Sequence, residues 1–335
     1  MSAPSEAVAT TPTNDVQRWP DGSLRHLLTL DGLPGAEITA LLDLADSFQA
    51  PTAAKPVRNT SLDGYTIANL FFEPSTRTRA SFEIAAKRLA ADVINLDVNT
   101  SSRIKGESIL DTIYTLEAMR CDYFVVRDAS VGVPQMIAEH VQPHVAVLNA
   151  GEASVAHPTQ GLLDVLTIRR HKGRFDQLVV AIVGDVGHSR VARSAYHALT
   201  ALGVGECRLV APGALAPDAA AYPAARIMES VDDALRGADV VMTLRIQRER
   251  LESPDGAPDG DDYHVRFGIT AARLTLAKPD AILMHPGPMN RSVEIASDIA
   301  DGPQSVITEQ VANGVAVRMA VLSEIHRNRL RQLAK

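Results

Sequence analysis

The sequence predicts an α/β protein of two doubly wound parallel-sheet domains, each a layered βα sandwich, with the active site expected between them. Three observations carry this. From about residue 27 onward, helical patterns alternate with short apolar runs, the mark of βαβ units. The runs form two series: Tyr65–Phe72, Val93–Val98, Tyr123–Val126 and Val145–Leu148, then Leu178–Val183, Cys207–Ala211, Val240–Leu244 and Ala281–Met284. A length of 335 residues suits about two domains, each able to bury a core. An aromatic content of 4% fits helix-rich α/β architecture better than a β-sandwich.

The two series meet in the segment 150–160. The division that follows places residues 25–155 in a first domain, completed by a C-terminal helix over 311–335, and 156–310 in a second. Residues 1–24 read as a mobile N-terminal extension, rich in Ala, Ser, Thr and Pro without period over its first twenty positions. Met1 to Thr13 lacks the positive charge of a transit peptide. Ser253–Asp262 is acidic and turn-rich and reads as a surface loop. A net charge of −7 argues against nucleic acid as a main partner. Cys121 and Cys207 stand apart from each other and from clustered histidines, so neither a disulfide framework nor a zinc site is indicated. No run reaches the length of a membrane span and no secretory signal is visible, so the expected compartment is the cytoplasm.

Taken in order, the first strand runs into Phe71-Phe72-Glu73-Pro74-Ser75-Thr76-Arg77-Thr78-Arg79. Phe82, Ala85, Ala86 and Leu89 then recur at helical spacing, so Pro74 sits at a helix entry and Ser75–Thr78 at its first turn. Hydroxyls, guanidinium groups and free backbone N–H groups converge there at the positive end of the dipole. The run fits a capped, solvated basic turn or an anion seat. Two arginines where acids are the norm favour the anion. Ser101–Glu107, with Lys105, is a polar basic loop after the second strand, and alone it means little. Arg127 ends the third strand at the edge where ligands bind in parallel sheets, although a strand-terminal Arg is often only a surface charge.

His157-Pro158-Thr159-Gln160 opens the next helical segment, with His157 at the cap. Its imidazole is either structural or set to polarise a carbonyl. Val183–Arg190 joins a strand to a helix but lacks the Gly-x-Gly-x-x-Gly spacing of a dinucleotide turn, which weighs against a nucleotide-binding oxidoreductase. Arg190 at that helix start suits a carboxylate or phosphate, or is a surface charge. Arg245 and Gln247 share a face by alternation, and a guanidinium beside an amide reads a carboxylate well. Arg248–Arg250 looks like a solvated helix face. His285-Pro286-Gly287-Pro288 ends the last strand in a turn whose carbonyls are suited to accept from an amide NH₂.

These motifs, in this order, resemble the aspartate/ornithine carbamoyltransferase superfamily over essentially residues 25–330. The carriers are Ser75-Thr76-Arg77-Thr78-Arg79, Ser101 with Lys105, His157-Pro158-Thr159-Gln160, Arg245-Ile246-Gln247 and His285-Pro286-Gly287-Pro288. Within it the aspartate enzymes fit better than the ornithine ones. The turn holds no Cys, and the second-substrate readers Arg190, Arg245 and Gln247 suit a dicarboxylate rather than an amine. The resemblance implies transfer of a carbamoyl group from carbamoyl phosphate to L-aspartate, an early step of pyrimidine biosynthesis. A carbamoyltransferase for ornithine or another amine is the alternative within the class, and a nucleotide-binding oxidoreductase or a non-catalytic homologue the alternative outside it.

By the same resemblance, Ser75, Thr76, Arg77 and Thr78 hold the phosphate, and Arg127 and His157 contact the carbonyl region. Gln160 and the Pro286-Gly287-Pro288 turn hold the carbamoyl NH₂, and Arg190, Arg245 and Gln247 bind the aspartate carboxylates. The catalytic group is Arg77, Thr78, Arg127 and His157. Ser101 and Lys105 are implied to come from a neighbouring subunit of a homotrimer or an assembly of trimers. A dihydroorotase-like or regulatory partner chain is the weakest of these implications. No metal or redox cofactor is implied. Some members carry Thr after the helix-start Arg, whereas Val191 stands here, so no hydroxyl contact is available at that position.

Overall fold

In the computed structural model, which describes residues 14–48, 58–96, 108–247 and 260–335, the apolar run after Gly64 becomes an inner strand of a parallel sheet. In chain order the elements are α1 (Asn14–Gln17), α2 (Gly35–Ser47), β1 (Thr66–Phe71), α3 (Thr76–Arg88), β2 (Asp92–Leu96), α4 (Ile109–Ala118), β3 (Tyr123–Asp128), α5 (Val133–His140) and β4 (Ala146–Glu152). There follow α6 (Pro158–Lys172), β5 (Val179–Val183), α7 (Arg190–Ala201), β6 (Glu206–Val210), β7 (Ala225–Met228), α8 (Val231–Leu235) and β8 (Val240–Thr243). The last are α9 (Gly260–Phe267), α10 (Ala271–Leu274), β9 (Ile282–Met284), α11 (Ser297–Ala300) and α12 (Ile307–Leu333). The chain divides into two compact units. The described residues of Met1–Thr29, Arg58–His157 and Val321–Lys335 form the first, and those of Leu30–Val57 and Pro158–Ala320 the second.

The first unit carries a sheet of order β2-β1-β3-β4, parallel at every pairing, as the βαβ pattern predicts. Every residue of β3 and β4 is buried, because helices cover both faces of a parallel sheet. Strand β2 lies at the edge and is largely exposed. The face of α3 read from the sequence is the buried one: Phe82, Ala85 and Leu89 are 0% exposed. Burial of Phe82 and of Leu89 contributes about 1.5–3 kcal/mol each. Helix α4 starts at a capping box, with Asp111 N–H donating to Ser108 Oγ at 3.1 Å and Ser108 N–H to Asp111 Oδ2 at 3.3 Å. The end of α12 is fixed to β3 through Tyr123 Oη and His326 Nδ1 at 2.6 Å, and through Arg329 and Asp122 at 2.8 Å.

The second unit carries a sheet of order β7-β6-β5-β8-β9, again parallel throughout. Helix α6 is buried from Pro158 to Ile168. A Cβ on Gly161 would lie 2.6 Å from the Ser194 carbonyl oxygen, so α6 and α7 meet backbone to backbone. Gly35 likewise meets the Ala201 carbonyl, which brings α2 onto α7. For that reason the described residues of Leu30–Val57 group with the second unit, although the sequence pattern assigns them to the first domain, and of the expected helix 311–335 only Val321–Lys335 joins the first unit. Strand β7 has no counterpart in the sequence reading. Gly260–Asp262, read as the end of a surface loop, opens α9 instead, where Asp261 and Asp262 sit favourably at the positive helix end. The rest of that loop and Arg248–Arg250 lie outside the described residues. Cys121 and Cys207 are both buried free thiols. Among the described residues no helix is long and apolar enough to cross a membrane.

Each strand order reverses once. In the first unit the chain winds from β1 outward to β2 and then returns to β3; in the second it winds from β5 to β7 and returns to β8. Such switch points open a crevice at the carboxyl ends of the two flanking strands, the default ligand position in open α/β sheets.

Candidate active site

The switch point of the first unit is flanked by the loops after β1 and β3. Helix α3 opens there with Ser75 as N-cap, its backbone extended and its side chain making no capping hydrogen bond. The first turn holds no acid. Thr78 is buried, Ser75 is half-buried, and Thr76, Arg77 and Arg79 are exposed. Arg127 lies opposite Phe71 in register, and Phe72 N–H donates to its carbonyl at 2.8 Å. Its buried guanidinium donates to Glu73 Oε1 at 2.9 Å and to the Ala150 carbonyl at 3.2 Å. Glu73 thus aims Arg127, a role the sequence reading did not assign. His157 follows β4, the next strand over, and is 4% exposed. Hydroxyls, guanidinium groups, an imidazole and a helix N-terminus therefore leave adjacent strands of one sheet at their carboxyl ends, a set suited to a phosphorylated carbonyl compound.

In the second unit the flanking loops follow β5 and β8. Ser189 caps α7, accepting from Ala192 N–H at 3.1 Å, and Arg190 is the buried first residue of that helix. Gly184 closes β5 at φ +133, with the Leu244 backbone against it. Asp185, fully buried, ties the two loops together. Its Oδ1 accepts from His188 N–H at 3.2 Å and pairs with His188 Nδ1 at 2.8 Å, while Oδ2 accepts from Gln247 N–H at 2.9 Å. Beyond the end of β8 the alternation continues: Leu244 and Ile246 are buried, and Arg245 and Gln247 are half-buried. Two arginines and an amide at one crevice suit a dicarboxylate.

Strand β9 ends in His285-Pro286-Gly287-Pro288. The buried His285 ring accepts from Gly287 N–H at Nδ1, at 2.8 Å, which leaves Nε2–H to donate to Glu294 Oε1 at 3.1 Å. Pro286 and Gly287 are half-buried and Pro288 is exposed. Gln160, in the first turn of α6, donates from Nε2 to Asp164 Oδ1 at 2.9 Å. Burial pushes the Asp164 carboxyl up to about 7, against hydrogen bonds from Gln310 and Gln160 and the charge of Arg318.

Ser75, Thr76, Arg77, Thr78, Arg127 and His157 thus collect at one sheet edge of the first unit. Gln160, Arg190, Arg245, Gln247 and the Pro286-Gly287-Pro288 turn belong to the second. Ser101 and Lys105 lie outside the described residues. Glu73, Asp164, Glu294 and Gln310 belong to the site without any motif in the sequence to mark them. For Asp164 a spacing signal is present: an acid four residues after Gln160, set within the apolar stretch Leu162–Leu166.

A family model described as the carbamoyl-P binding domain of aspartate/ornithine carbamoyltransferase matches residues 25–170, and its Asp/Orn binding domain matches residues 176–325. Among solved structures the chain is similar to aspartate transcarbamoylase from Trypanosoma cruzi in complex with carbamoyl aspartate and phosphate. The identity is 32% over 90% of this chain and 95% of that one, with a TM-score of 0.81. The same enzyme in complex with carbamoyl phosphate and aspartate matches at 31% identity, over 90% and 96% of the two chains, with a TM-score of 0.80. Ornithine carbamoyltransferase from Thermus thermophilus matches at 28% identity, over 88% and 97%, with a TM-score of 0.76. With its motifs at the carboxyl ends of two parallel sheets and likeness along nearly its whole length, the chain belongs to the aspartate/ornithine carbamoyltransferase family.

Proposed function

We propose that the chain is an aspartate carbamoyltransferase, which moves the carbamoyl group of carbamoyl phosphate to the α-amine of L-aspartate and releases phosphate. One observation carries this reading: the crevice loops of the second unit bear Arg190, Arg245 and Gln247, a reader for two carboxylates. The phosphate seat in the first unit is common to the family; the dicarboxylate reader selects the amine. The Trypanosoma cruzi relatives bind carbamoyl phosphate, aspartate and carbamoyl aspartate.

In this reading, Ser75, Thr76, Arg77 and Thr78 grip the phosphate at the start of α3. Arg127 and His157 meet the carbonyl oxygen, and Gln160 with the Pro286–Gly287 backbone receives the NH₂ group. The α-amine of aspartate attacks the carbamoyl carbon, the C–N bond forms, and the C–O bond to phosphate breaks. Holding both reactants in place supplies up to about 7–11 kcal/mol of rate enhancement. Donors from Thr78, Arg127 and His157 offset the charge growing on the carbonyl oxygen, each worth on the order of 3 kcal/mol. The departing phosphate, held by Arg77, takes the proton released by the amine.

The domain reading of 25–155 with 311–335 for carbamoyl phosphate and 156–310 for aspartate is kept with one change, the described residues of 30–57 and 311–320 passing to the aspartate side; its support is the distribution of the two reader sets. Family resemblance supports a trimer that shares Ser101 and Lys105 across subunits. Mixed and reassembled Lys105→Ala and Arg77→Ala chains should then regain part of the activity lost by each, and no recovery would argue for self-contained subunits. The deciding assay compares product formation from carbamoyl phosphate with L-aspartate and with L-ornithine. Turnover of aspartate alone is expected, and preferential turnover of ornithine would overturn the proposal. Arg77→Ala should weaken carbamoyl phosphate binding at least about tenfold; unchanged affinity would remove the phosphate assignment.

A further inference from the structure

We propose that Asp164 and Gln310 are positioning residues, a buried relay that turns the acceptor atoms of the carbamoyl-NH₂ receptor toward the substrate. The proposal rests on the reading of Gln160 and the Pro286–Gly287 backbone as that receptor. Gln160 and Asp164 are four apart on α6 and share a face. Asp164 is 0% exposed, a costly place for a carboxyl unless its hydrogen bonds matter. One oxygen, Oδ1, accepts from two amides: Gln160 Nε2 at 2.9 Å and Gln310 Nε2 at 2.7 Å. The far end of Gln310, Oε1, accepts from the backbone N–H of His285 at 3.0 Å, where the Pro286–Pro288 turn begins. The line Gln160–Asp164–Gln310–His285 therefore joins the side-chain and backbone parts of the receptor within the second unit.

A primary amide has two distinguishable ends, and a carboxyl oxygen at the junction decides which faces it. Both glutamines present NH₂ to Asp164, so both carbonyls point away from it. For Gln310 that carbonyl holds the turn; for Gln160 it is the acceptor left for a ligand. In the turn itself, the Gly287 N–H is taken by the His285 ring at 2.8 Å, so the Pro286–Gly287 stretch offers carbonyls. The result is a receptor made of acceptors, which fits a group with two N–H donors and not a methyl. The other carboxyl oxygen, Oδ2, has no hydrogen-bond partner among the described residues. A proton there leaves the relay unchanged, and Arg318 balances the charge when it leaves.

The test measures binding of carbamoyl phosphate, of acetyl phosphate, which carries CH₃ in place of NH₂, and of inorganic phosphate. It uses the full chain and its Gln310→Met, Asp164→Ala, Asp164→Asn and Gln160→Ala variants. Loss of one well-aimed hydrogen bond should reduce the preference for carbamoyl over acetyl phosphate about tenfold in Gln310→Met and Asp164→Ala. Inorganic phosphate should bind as in the parent, and Asp164→Asn, which keeps an acceptor at the junction, should restore most of the preference. A preference kept by Gln310→Met while Gln160→Ala loses it would overturn the relay and spare the receptor. If Gln160→Ala also keeps it, the receptor reading falls, and the relay with it. Equal weakening of all three ligands would mark the relay as plain structural support and overturn the proposal. Gln310→Met, close to Gln in shape, decides the matter if Asp164→Ala fails to fold.

Discussion

Replacing Gly184 by Ala is expected to damage aspartate binding and spare phosphate binding. Gly184 ends β5 at φ +133, and an added Cβ would fall on the Leu244 carbonyl oxygen and 3.0 Å from the carbonyl carbon and Cβ of that residue. Ordinary contacts lie at 3.4–4 Å, so something must retreat by several tenths of an ångström or more. Leu244 cannot yield alone, because its N–H donates to Val183 at 2.8 Å and its side chain is buried. The displacement passes to Arg245, next in the chain, and strains the Gln247 N–H bond to Asp185. A side chain forced into that backbone region costs about 1–3 kcal/mol, and crowding adds about 1–3 kcal/mol. Relaxation lowers the second figure only by moving the reader, and misplacement by about 1 Å costs up to about 10²-fold in rate. Steady-state kinetics should show the aspartate KM raised at least about tenfold and calorimetry a Tm lowered by several degrees. Titration of inorganic phosphate should return the parent affinity. A Gly184→Ala protein with parental Tm and aspartate KM would refute the claim that the close backbone approach of these loops sets Arg245.

Three other outcomes follow from the geometry. His157→Ala should lower kcat about 10²–10³-fold with carbamoyl phosphate KM within a few-fold, and a His157→Gln enzyme of parental kcat would sink the carbonyl-donor role. The folded pKa of Asp164, about 7, lies above its ordinary 3.8, so the stabilisation from its bound proton is complete below pH 3.8 and is lost as pH rises through about 7. Asp164→Asn cannot titrate, so the stability of the parent relative to that variant should fall by about 2 kcal/mol between about pH 5.5 and about pH 8 in urea unfolding; a difference flat with pH would refute the raised pKa. Tyr123→Phe strands the buried His326 Nδ1 and should lower stability by about 1–3 kcal/mol, with substrate kinetics unchanged; a change in KM would show that this anchor reaches the site.

The inner strands were legible because burial on both faces turns them into unbroken apolar runs, such as Tyr123–Val126 and Val179–Val183. Strand β7 was not, since at the sheet edge it exposes Arg226 and Ile227 and gives no such run. The candidate site is legible where its residues are neighbours in sequence, as in Ser75–Arg79 and His285–Pro288, and silent where it depends on pairing across the chain. Asp164 meets Gln310 over 146 residues, and no window of sequence contains both. Strand order is equally invisible in a window, yet the chain betrays it. The loop after β6, Ala211–Tyr222, carries a single charged residue, Asp218, while those after β5 and β8 carry Asp185, Arg190, Arg245 and Gln247. Loops at a switch point flank an open crevice and can face a ligand, whereas a loop elsewhere along the edge has a neighbouring crossover beside it. In the second sheet the arginine readers therefore mark the strand ends where the order reverses, while the His285–Pro288 turn after the edge strand β9 shows that chemistry is not confined to them.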